Sequence, residues 1–299
     1  MWDTKENGPR FGPSGNSELF YELGYKSTLQ APEWLHGMGL DAFEYSFGRG
    51  VRLGADTAEQ IAAEAEKYKI AVSVHAPYFI NLSATEEERF EKNAQYFEDS
   101  LRAARHLGAK RVVFHPGACK KMERREALDI ASNNFRRIIS MMDELGYGDI
   151  TLCPETMGKI NQLGDLDEVL ALCALDERLL PTLDFGHLHA RGGGCLNSEQ
   201  DFLDILNKVE NCIGTCRTSK VHIHFCRIEY TLKGGEKQHR RFIDTEYGPE
   251  FSLLARAIIQ KRLSPIIICE SKGTMAEDAK TMRETYQKEM ADAYCKTTS

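Results

Sequence analysis

The sequence has no long hydrophobic segment. None of its apolar runs reaches the about 18 residues that a membrane-spanning helix requires. The first residues, Met1–Asn7, contain no apolar stretch and lack the layout of a signal peptide. We therefore expect a cytoplasmic protein that does not contact a membrane.

Paired cysteines are also missing. The nine cysteines are scattered, and the two nearest, Cys212 and Cys216, do not form a CxxC pair. Several cysteines lie in apolar runs, where a reduced thiol behaves as a small hydrophobic group. A disulfide framework is therefore not expected.

Basic residues are fewer than acidic residues in this sequence. The chain carries 38 lysines and arginines against 45 aspartates and glutamates, a net charge of −7. This balance argues against a protein that binds nucleic acid through bulk positive charge, although a local basic rim or a metal cluster could still contact phosphate. A glycine-rich dinucleotide-binding turn is absent too, because Gly192–Gly194 follows no strand-to-helix turn of that type.

Short apolar runs alternate with amphipathic segments along most of the chain. Runs such as 70–75 and 111–115 have the composition of strands, and segments such as 86–107 and 124–145 have the spacing of helices. This alternation predicts parallel strands joined by crossover helices. We count about eight such units, which predicts a closed (β/α)₈ TIM barrel.

The predicted barrel accounts for the whole chain. We assign residues 1–299 to one barrel domain, in which residues 1–40 hold an N-terminal segment and the first strand. The polar segment 231–247 contains no apolar run, and it is predicted to be a long loop after the seventh strand.

Six consecutive predicted strands end in a histidine or a carboxylate. In a barrel these ends open on one face, where the active site lies. A single histidine at a strand end is more often a structural residue than a ligand, but carboxylates crowded on one rim would repel each other without a multivalent cation. The set comprises His75, His115, Glu155, Asp184, His224 and Glu270, with His187 just beyond its strand and His222 two residues before His224.

A mixture of imidazole and carboxylate ligands suits zinc. The set exceeds what one tetrahedral zinc ion needs, so two or three ions are predicted, with Glu155 as a bridging carboxylate. His239, in the segment after the seventh strand, is a further candidate ligand, and Glu236 precedes it by three residues.

Short motifs surround these strand ends. They read HAPYFINL at 75–82, FHPG at 114–117, PET at 154–156, DFGH at 184–187, the strand through His224, and CE at 269–270. From about residue 40 to its end, the chain resembles the endonuclease IV family of apurinic/apyrimidinic endonucleases, within the xylose-isomerase-like barrel superfamily. The resemblance implies a trinuclear zinc cluster that hydrolyses the phosphodiester 5′ of an abasic site in damaged double-stranded DNA.

The resemblance also implies roles for single residues. Glu155 and Glu270 would be the catalytic carboxylates, and Tyr78 would line the substrate site. By position, the implied ligands are His75, His115 and Glu155 for one zinc, Glu155, Asp184, His224 and Glu270 for a second, and His187 and His239 for a third.

The third site departs from the family pattern. That pattern has an Asp-x-His pair after the seventh strand, and Lys237 occupies the acidic position here. Glu236 is a possible substitute if the chain bulges by one residue, and Asp244 or Glu246 are alternatives. His222 is a possible partner of a ligand or a replacement ligand, and Phe47–Gly50 is a candidate for DNA contact.

Two other functions remain open from the sequence. A sugar isomerase or epimerase of the same superfamily would use Glu155, Asp184, His224 and Glu270 to hold one Mn²⁺ or Mg²⁺ ion. A barrel that binds metal or nucleic acid without catalysis is the second alternative. No protein partner is inferred.

Overall fold

The computed structural model describes residues 8–297. The segment 1–7, which lacks the layout of a signal peptide, lies outside the described residues. The strands in the described part are β1 (Arg10–Pro13), β2 (Ala42–Ser46), β3 (Ala71–His75), β4 (Arg111–Phe114), β5 (Gly117–Ala118), β6 (Thr151–Pro154), β7 (Gln162–Leu163), β8 (Thr182–Asp184), β9 (His222–Phe225), β10 (Arg227–Thr231), β11 (Gly235–Arg240) and β12 (Ile266–Cys269).

Helices follow most of these strands. They are α1 (Glu18–Glu22), α2 (Ala31–Gly37), α3 (Ala55–Lys67), α4 (Glu87–His106), α5 (Arg124–Glu144), α6 (Leu166–Cys173), α7 (Phe185–Arg191), α8 (Glu199–Ile213), α9 (Thr215–Thr218), α10 (Phe251–Lys261) and α11 (Met275–Thr297), with a 3₁₀ turn at Thr28–Gln30. None of the helices within residues 8–297 is long and apolar enough to cross a membrane.

Eight parallel strands close into a barrel. One half pairs in the order β1-β12-β9-β8, and the other in the order β2-β3-β4-β6. Parallel bridges between Ser14 and Glu44 and between Glu155 and Thr182 join the two halves. The predicted (β/α)₈ TIM barrel is therefore confirmed.

The helices pack one apolar face against the outside of the barrel. Phe97 of α4 and Phe135 of α5 both contact Phe114 of β4, with ring centroids 4.9 and 5.3 Å away. All three phenylalanines are fully buried. Each helix needs an apolar stripe to cover the strands, and this is why apolar residues recur at helical spacing in the sequence.

The prediction of a long loop at 231–247 is wrong for its first part. The strands β10 and β11 form an antiparallel hairpin that begins before this segment and reverses just before Gly235. Gly235 adopts a φ of 74°, in the left-handed region that favours glycine. The side chains of β11 are polar on both faces, so its sequence shows no apolar alternation and resembles a loop.

Candidate metal centre

The carboxyl ends of the barrel strands bring the predicted residues to one face. His75 is the last residue of β3, His115 follows β4, Glu155 follows β6, Asp184 ends β8 and Glu270 follows β12. Their side chains and those of four neighbours form three groups, and the potential ligand atoms of each group lie within 4.8 Å of one another. The first group is His75, His115 and Glu155; the second is Glu155, Asp184, His224 and Glu270; the third is His187, Glu236 and His239.

The first group converges on one carboxylate oxygen. Oε2 of Glu155 lies 3.1 Å from Nε2 of His75 and 3.2 Å from Nε2 of His115. Nδ1 of His75 donates to the carbonyl oxygen of Ala76 at 2.9 Å. Because a carbonyl only accepts, Nδ1 carries a proton, and Nε2 is the atom that would bind a cation once it has lost its own proton.

The second group contains buried atoms that lack hydrogen bonds. Nδ1 of His224 lies 3.4 Å from Oε1 of Glu155 and 3.5 Å from Oε1 of Glu270. Neither this nitrogen nor Oδ2 of Asp184 has a hydrogen-bond partner within residues 8–297, and both residues are fully buried. Buried polar atoms are nearly always paired, so these two atoms fit the ligands of a cation.

A short helix fixes Asp184 and His187 relative to each other. The helix α7 begins directly after Asp184, whose Oδ1 accepts a hydrogen bond from the backbone N–H of His187 at 2.7 Å. The backbone N–H of Asp184 in turn donates to Oγ1 of Thr156 at 2.9 Å. One carboxylate oxygen therefore caps the helix, and the other, Oδ2, lies 3.4 Å from Nδ1 of His187.

The third group places two imidazole nitrogens face to face. Nε2 of His187 lies 3.2 Å from Nε2 of His239. The Nδ1 atoms of both rings donate to carbonyl oxygens, that of His187 to Thr156 at 2.9 Å and that of His239 to Glu270 at 3.0 Å. In the neutral rings, two lone pairs would then face each other, an arrangement that a cation between them would stabilise.

A β-bulge brings Glu236 into the third group. Tyr230 pairs with Glu236 and Glu229 pairs with Gln238, which leaves Lys237 as the extra residue of β11. Glu236 and His239 therefore reach the same group although they are three residues apart. Oε2 of Glu236 lies 3.5 Å from Nε2 of His187, and Oε1 lies 3.8 Å from Nε2 of His239.

The alternative acids of this segment lie elsewhere. Asp244 accepts a hydrogen bond from the backbone N–H of Arg241 at 3.0 Å, and Glu246 is exposed. Neither belongs to the three groups among the described residues. Lys237 instead pairs with Glu229, on the outer side of the hairpin.

The charges of the first two groups shift the protonation of the metal-free site. Burial favours neutral Glu155, yet the nearby imidazoles of His115 and His224 hold the pKa of its carboxyl well below its usual range. Burial also opposes the charged form of His75, but the hydrogen bond and charge of Glu155 raise the pKa of that imidazole to about 9. Protons on histidine therefore hold this centre together without metal, and metal would have to displace them.

Two buried residues lie one layer below the rim. Glu44, in the middle of β2, is fully buried, and its Oε2 lies 3.0 Å from Nε2 of His222. Burial lowers the pKa of His222 to about 4, so this ring is neutral near neutral pH. His222 thus lies inside the barrel rather than on the rim. Glu44 was not among the predicted residues, although a carboxylate between two aromatic residues of a buried strand is a usable signal in the sequence.

A cavity of about 300 Å³ opens over the three groups. Tyr78 lines it and remains half exposed, and its ring lies 4.4 Å from that of Phe79. Gly48, from the segment considered for DNA contact, also lines the cavity, and its carbonyl oxygen accepts a hydrogen bond from the backbone N–H of Tyr78 at 3.2 Å. Lys159 adds a cationic side chain.

Comparison with known proteins identifies the family. The sequence model of the protein family described as xylose isomerase-like TIM barrel matches residues 32–291. The chain belongs to this family. Within the family, it is 34% identical over 246 residues to an uncharacterized protein of Methanocaldococcus jannaschii, across 82% of this chain and 87% of that protein. It is also 27% identical over 283 residues to a probable endonuclease 4 of Listeria innocua serovar 6a, across 90% of each chain.

Solved structures share the barrel. Endonuclease IV from Thermus thermophilus superposes with a TM-score of 0.68 at 21% identity, over 95% of this chain and all of that one. A D-tagatose 3-epimerase-like protein superposes with a TM-score of 0.71 at 19% identity, over 95% of this chain and 99% of that one. At these identities the superpositions establish the fold alone. The expected resemblance to endonuclease IV is confirmed by the family match together with the curated relative.

Proposed function

We propose that this member of the xylose isomerase-like TIM barrel family is a zinc-dependent phosphodiesterase that nicks DNA at abasic sites. The main support for this proposal is the third group. An enzyme that binds a sugar through one metal ion would need only the second group, so the additional ligands favour the phosphodiesterase. His187, Glu236 and His239 add a further set of ligands, and Glu155 is shared by the first two groups. The similarity to a probable endonuclease 4 supports this choice.

The donor set fits two or three zinc ions. Nine side chains supply only imidazole nitrogens and carboxylate oxygens, the mixture that zinc accepts. Nδ1 of His224 and Oδ2 of Asp184 lack hydrogen-bond partners among the described residues, and both residues belong to the second group, which would hold the second ion. When bound, zinc ions stabilise the charge that develops on a phosphoryl group and lower the pKa of water.

The chain itself provides the substrate site. Glu155 and Glu270, the proposed catalytic carboxylates, would themselves be ligands of the metal ions. Tyr78 and Lys159 line the cavity, where an aromatic ring and an ammonium group suit a deoxyribose and a phosphate. An abasic nucleotide has no base to unstack, so extruding it into this cavity costs less than extruding an intact nucleotide.

A nicking experiment tests the proposal. The zinc-loaded protein should cleave a duplex with one abasic site and leave the undamaged duplex of the same sequence intact. Excess EDTA should abolish the cleavage. The His187→Ala protein should lose one metal ion and most of the nicking activity. Cleavage of the abasic duplex no faster than in the EDTA control would reject the proposal.

A sugar epimerase is the second candidate function. The second group alone would hold one Mn²⁺ or Mg²⁺ ion, and a D-tagatose 3-epimerase-like protein shares the fold. About one ion per chain after purification, with turnover of a ketose and none of DNA, would favour it. Full zinc loading without turnover of either substrate would instead favour a non-catalytic metal-binding barrel.

The remaining assignments depend on the same experiment. Damaged double-stranded DNA is the proposed partner, and no protein partner is proposed. A cytoplasmic location is proposed with the repair function, because the substrate would be the cell's own DNA.

A further inference from the structure

His224 is oriented differently from the other histidines of the centre. Nδ1 of His75, His187 and His239 each donates to a backbone carbonyl, and Nε2 faces the ligands of its group. In His224, Nδ1 faces the second group, and Nε2 lies 3.0 Å from Oε1 of Glu44. This contact has the distance of an ion pair without the geometry of a hydrogen bond, so neither Nε2 nor Oε1 has a hydrogen-bond partner among the described residues.

Arg111 sets the direction of the hydrogen bonds below His224. Its Nη1 donates to Nδ1 of His222 at 3.4 Å, and its Nη2 donates to the carbonyl oxygen of Lys220 at 2.8 Å. Arginine only donates, so Nδ1 of His222 must accept. The proton of the neutral His222 ring therefore lies on Nε2, from which it is donated to Oε2 of Glu44 at 3.0 Å.

Glu44 is held as an acceptor for His224. Oε2 of its carboxylate accepts from His222 and also from Oγ of Ser73 at 2.8 Å. These two donors occupy one oxygen and leave Oε1 without a donor among the described residues, 3.0 Å from Nε2 of His224. A fully buried carboxylate is costly unless donors surround it, and the donors here are this imidazole pair and one hydroxyl.

We propose that Glu44 is a positioning residue for the metal centre. Its carboxylate keeps the proton of His224 on Nε2 and thereby directs the Nδ1 lone pair toward Glu155, Asp184 and Glu270. A carboxylate that accepts the second N–H of a ligating imidazole fixes the ring and strengthens it as a ligand. The inference rests on the proposed function in one respect, which is that His224 binds metal.

Zinc affinity tests the inference without any substrate. The Glu44→Gln protein keeps the size of the side chain but loses its charge, and we expect one zinc ion to bind about 10- to 100-fold more weakly, the range for the loss of such partners. Competition with a chelator of known affinity gives the constant for each ion. The other ions should keep affinities close to those of the wild type.

Ser73→Ala provides the matched control. It removes a hydrogen bond from Oε2 of Glu44 but leaves both imidazole contacts in place. A purely structural role of Glu44 predicts that both variants lower the melting temperature and that neither weakens zinc binding. That result, or unchanged zinc affinities in folded Glu44→Gln protein, would overturn the inference.

The position of the protons can be observed in the wild type, so the test survives a variant that does not fold. In zinc-loaded protein labelled with ¹⁵N-histidine, we expect directly bound protons on Nε2 of both His222 and His224. A proton on Nδ1 of His222, or none on Nε2 of His224, would overturn the inference. A wild type that binds zinc without nicking DNA would reject only the proposed function, and one that binds no zinc would reject both.

Discussion

Glu236 owes its place in the third group to a single extra residue in β11. Without the bulge at Lys237, residues three apart on a strand would point to opposite faces. We predict that Glu236→Ala removes one zinc ion and leaves the first two groups loaded. Elemental analysis of the purified protein measures this directly.

Glu246→Ala is the control for that substitution, because Glu246 is an exposed acid of the same segment and belongs to no group of potential metal ligands in the described residues. It should keep the full metal content. Loss of an ion in the control, or retention of every ion in Glu236→Ala, would show that the third group is not a site.

Single residues at strand ends were the most predictable part of the centre. A polar residue that ends a buried apolar strand stands out, and the barrel topology then places all such residues on one face. His75, His115, Glu155, Asp184 and Glu270 were all found in this way, and the structure brings them together. Their role as ligands stays a prediction.

Glu44 lies in the middle of its strand instead of at the end. Its role depends on His222 and His224, which are far away in the chain, as the separation of 178 residues between Glu44 and His222 shows. A pairing over such a distance follows from barrel closure and register, which strand composition alone does not specify.

The hairpin of β10 and β11 packs closely against the segment after β6. The carbonyl oxygen of Gly158 accepts a hydrogen bond from the backbone N–H of Glu236 at 3.0 Å. A Cβ atom at Gly158 would lie 2.6 Å from Cβ of Glu236 and 2.9 Å from Cδ2 of His187. Only glycine therefore allows the hairpin to place Glu236 beside His187.

We predict that Gly158→Ala displaces the hairpin and abolishes zinc binding by the third group. The expected result is the loss of one ion and of most nicking activity, with the remaining ions bound as before. Chelator competition and the abasic-duplex assay measure both effects.

Gly37→Ala is the control for Gly158→Ala, because a Cβ atom at that position in α2 would have no other atom within 4 Å. It should leave metal content unchanged and alter the free energy of unfolding by no more than about 1 kcal/mol. Full zinc content in the Gly158→Ala protein would mean that the close packing of the hairpin against Gly158 is not required for the third group to bind zinc.

The helices and strands whose hydrophobic residues recur most regularly were the easiest to predict from the sequence. Barrel strands and the amphipathic helices α4 and α5 must cover each other, so their hydrophobic residues recur with the period of the element. The strand β11 covers no apolar surface of the barrel in this way, since its side chains are polar on both faces. The strands of the hairpin are fixed by backbone contacts such as that between Gly158 and Glu236.

At the scale of the whole barrel, a bound metal ion would compete with protons for the same centre, which would couple stability to pH. The pKa of His75 is raised from its ordinary value of 6.5 to about 9, so its contribution to metal-free stability is complete below pH 6.5 and is lost as pH rises through 9. The pKa of Glu155 is lowered, so its contribution is present above its ordinary value of 4.5 and lost only at acid pH.

We therefore predict that the metal-free protein becomes less stable between pH 6.5 and 9, whereas zinc stabilises it more as the histidines lose their protons. At free zinc about 100-fold above the dissociation constant, each site would add about 2.7 kcal/mol. Thermal unfolding in EDTA and in buffered zinc, at several pH values across this window, measures both trends. His75→Gln should flatten the metal-free trend. A zinc-induced rise in melting temperature that shrinks toward the alkaline end of the window would contradict a centre in which metal replaces protons on histidine.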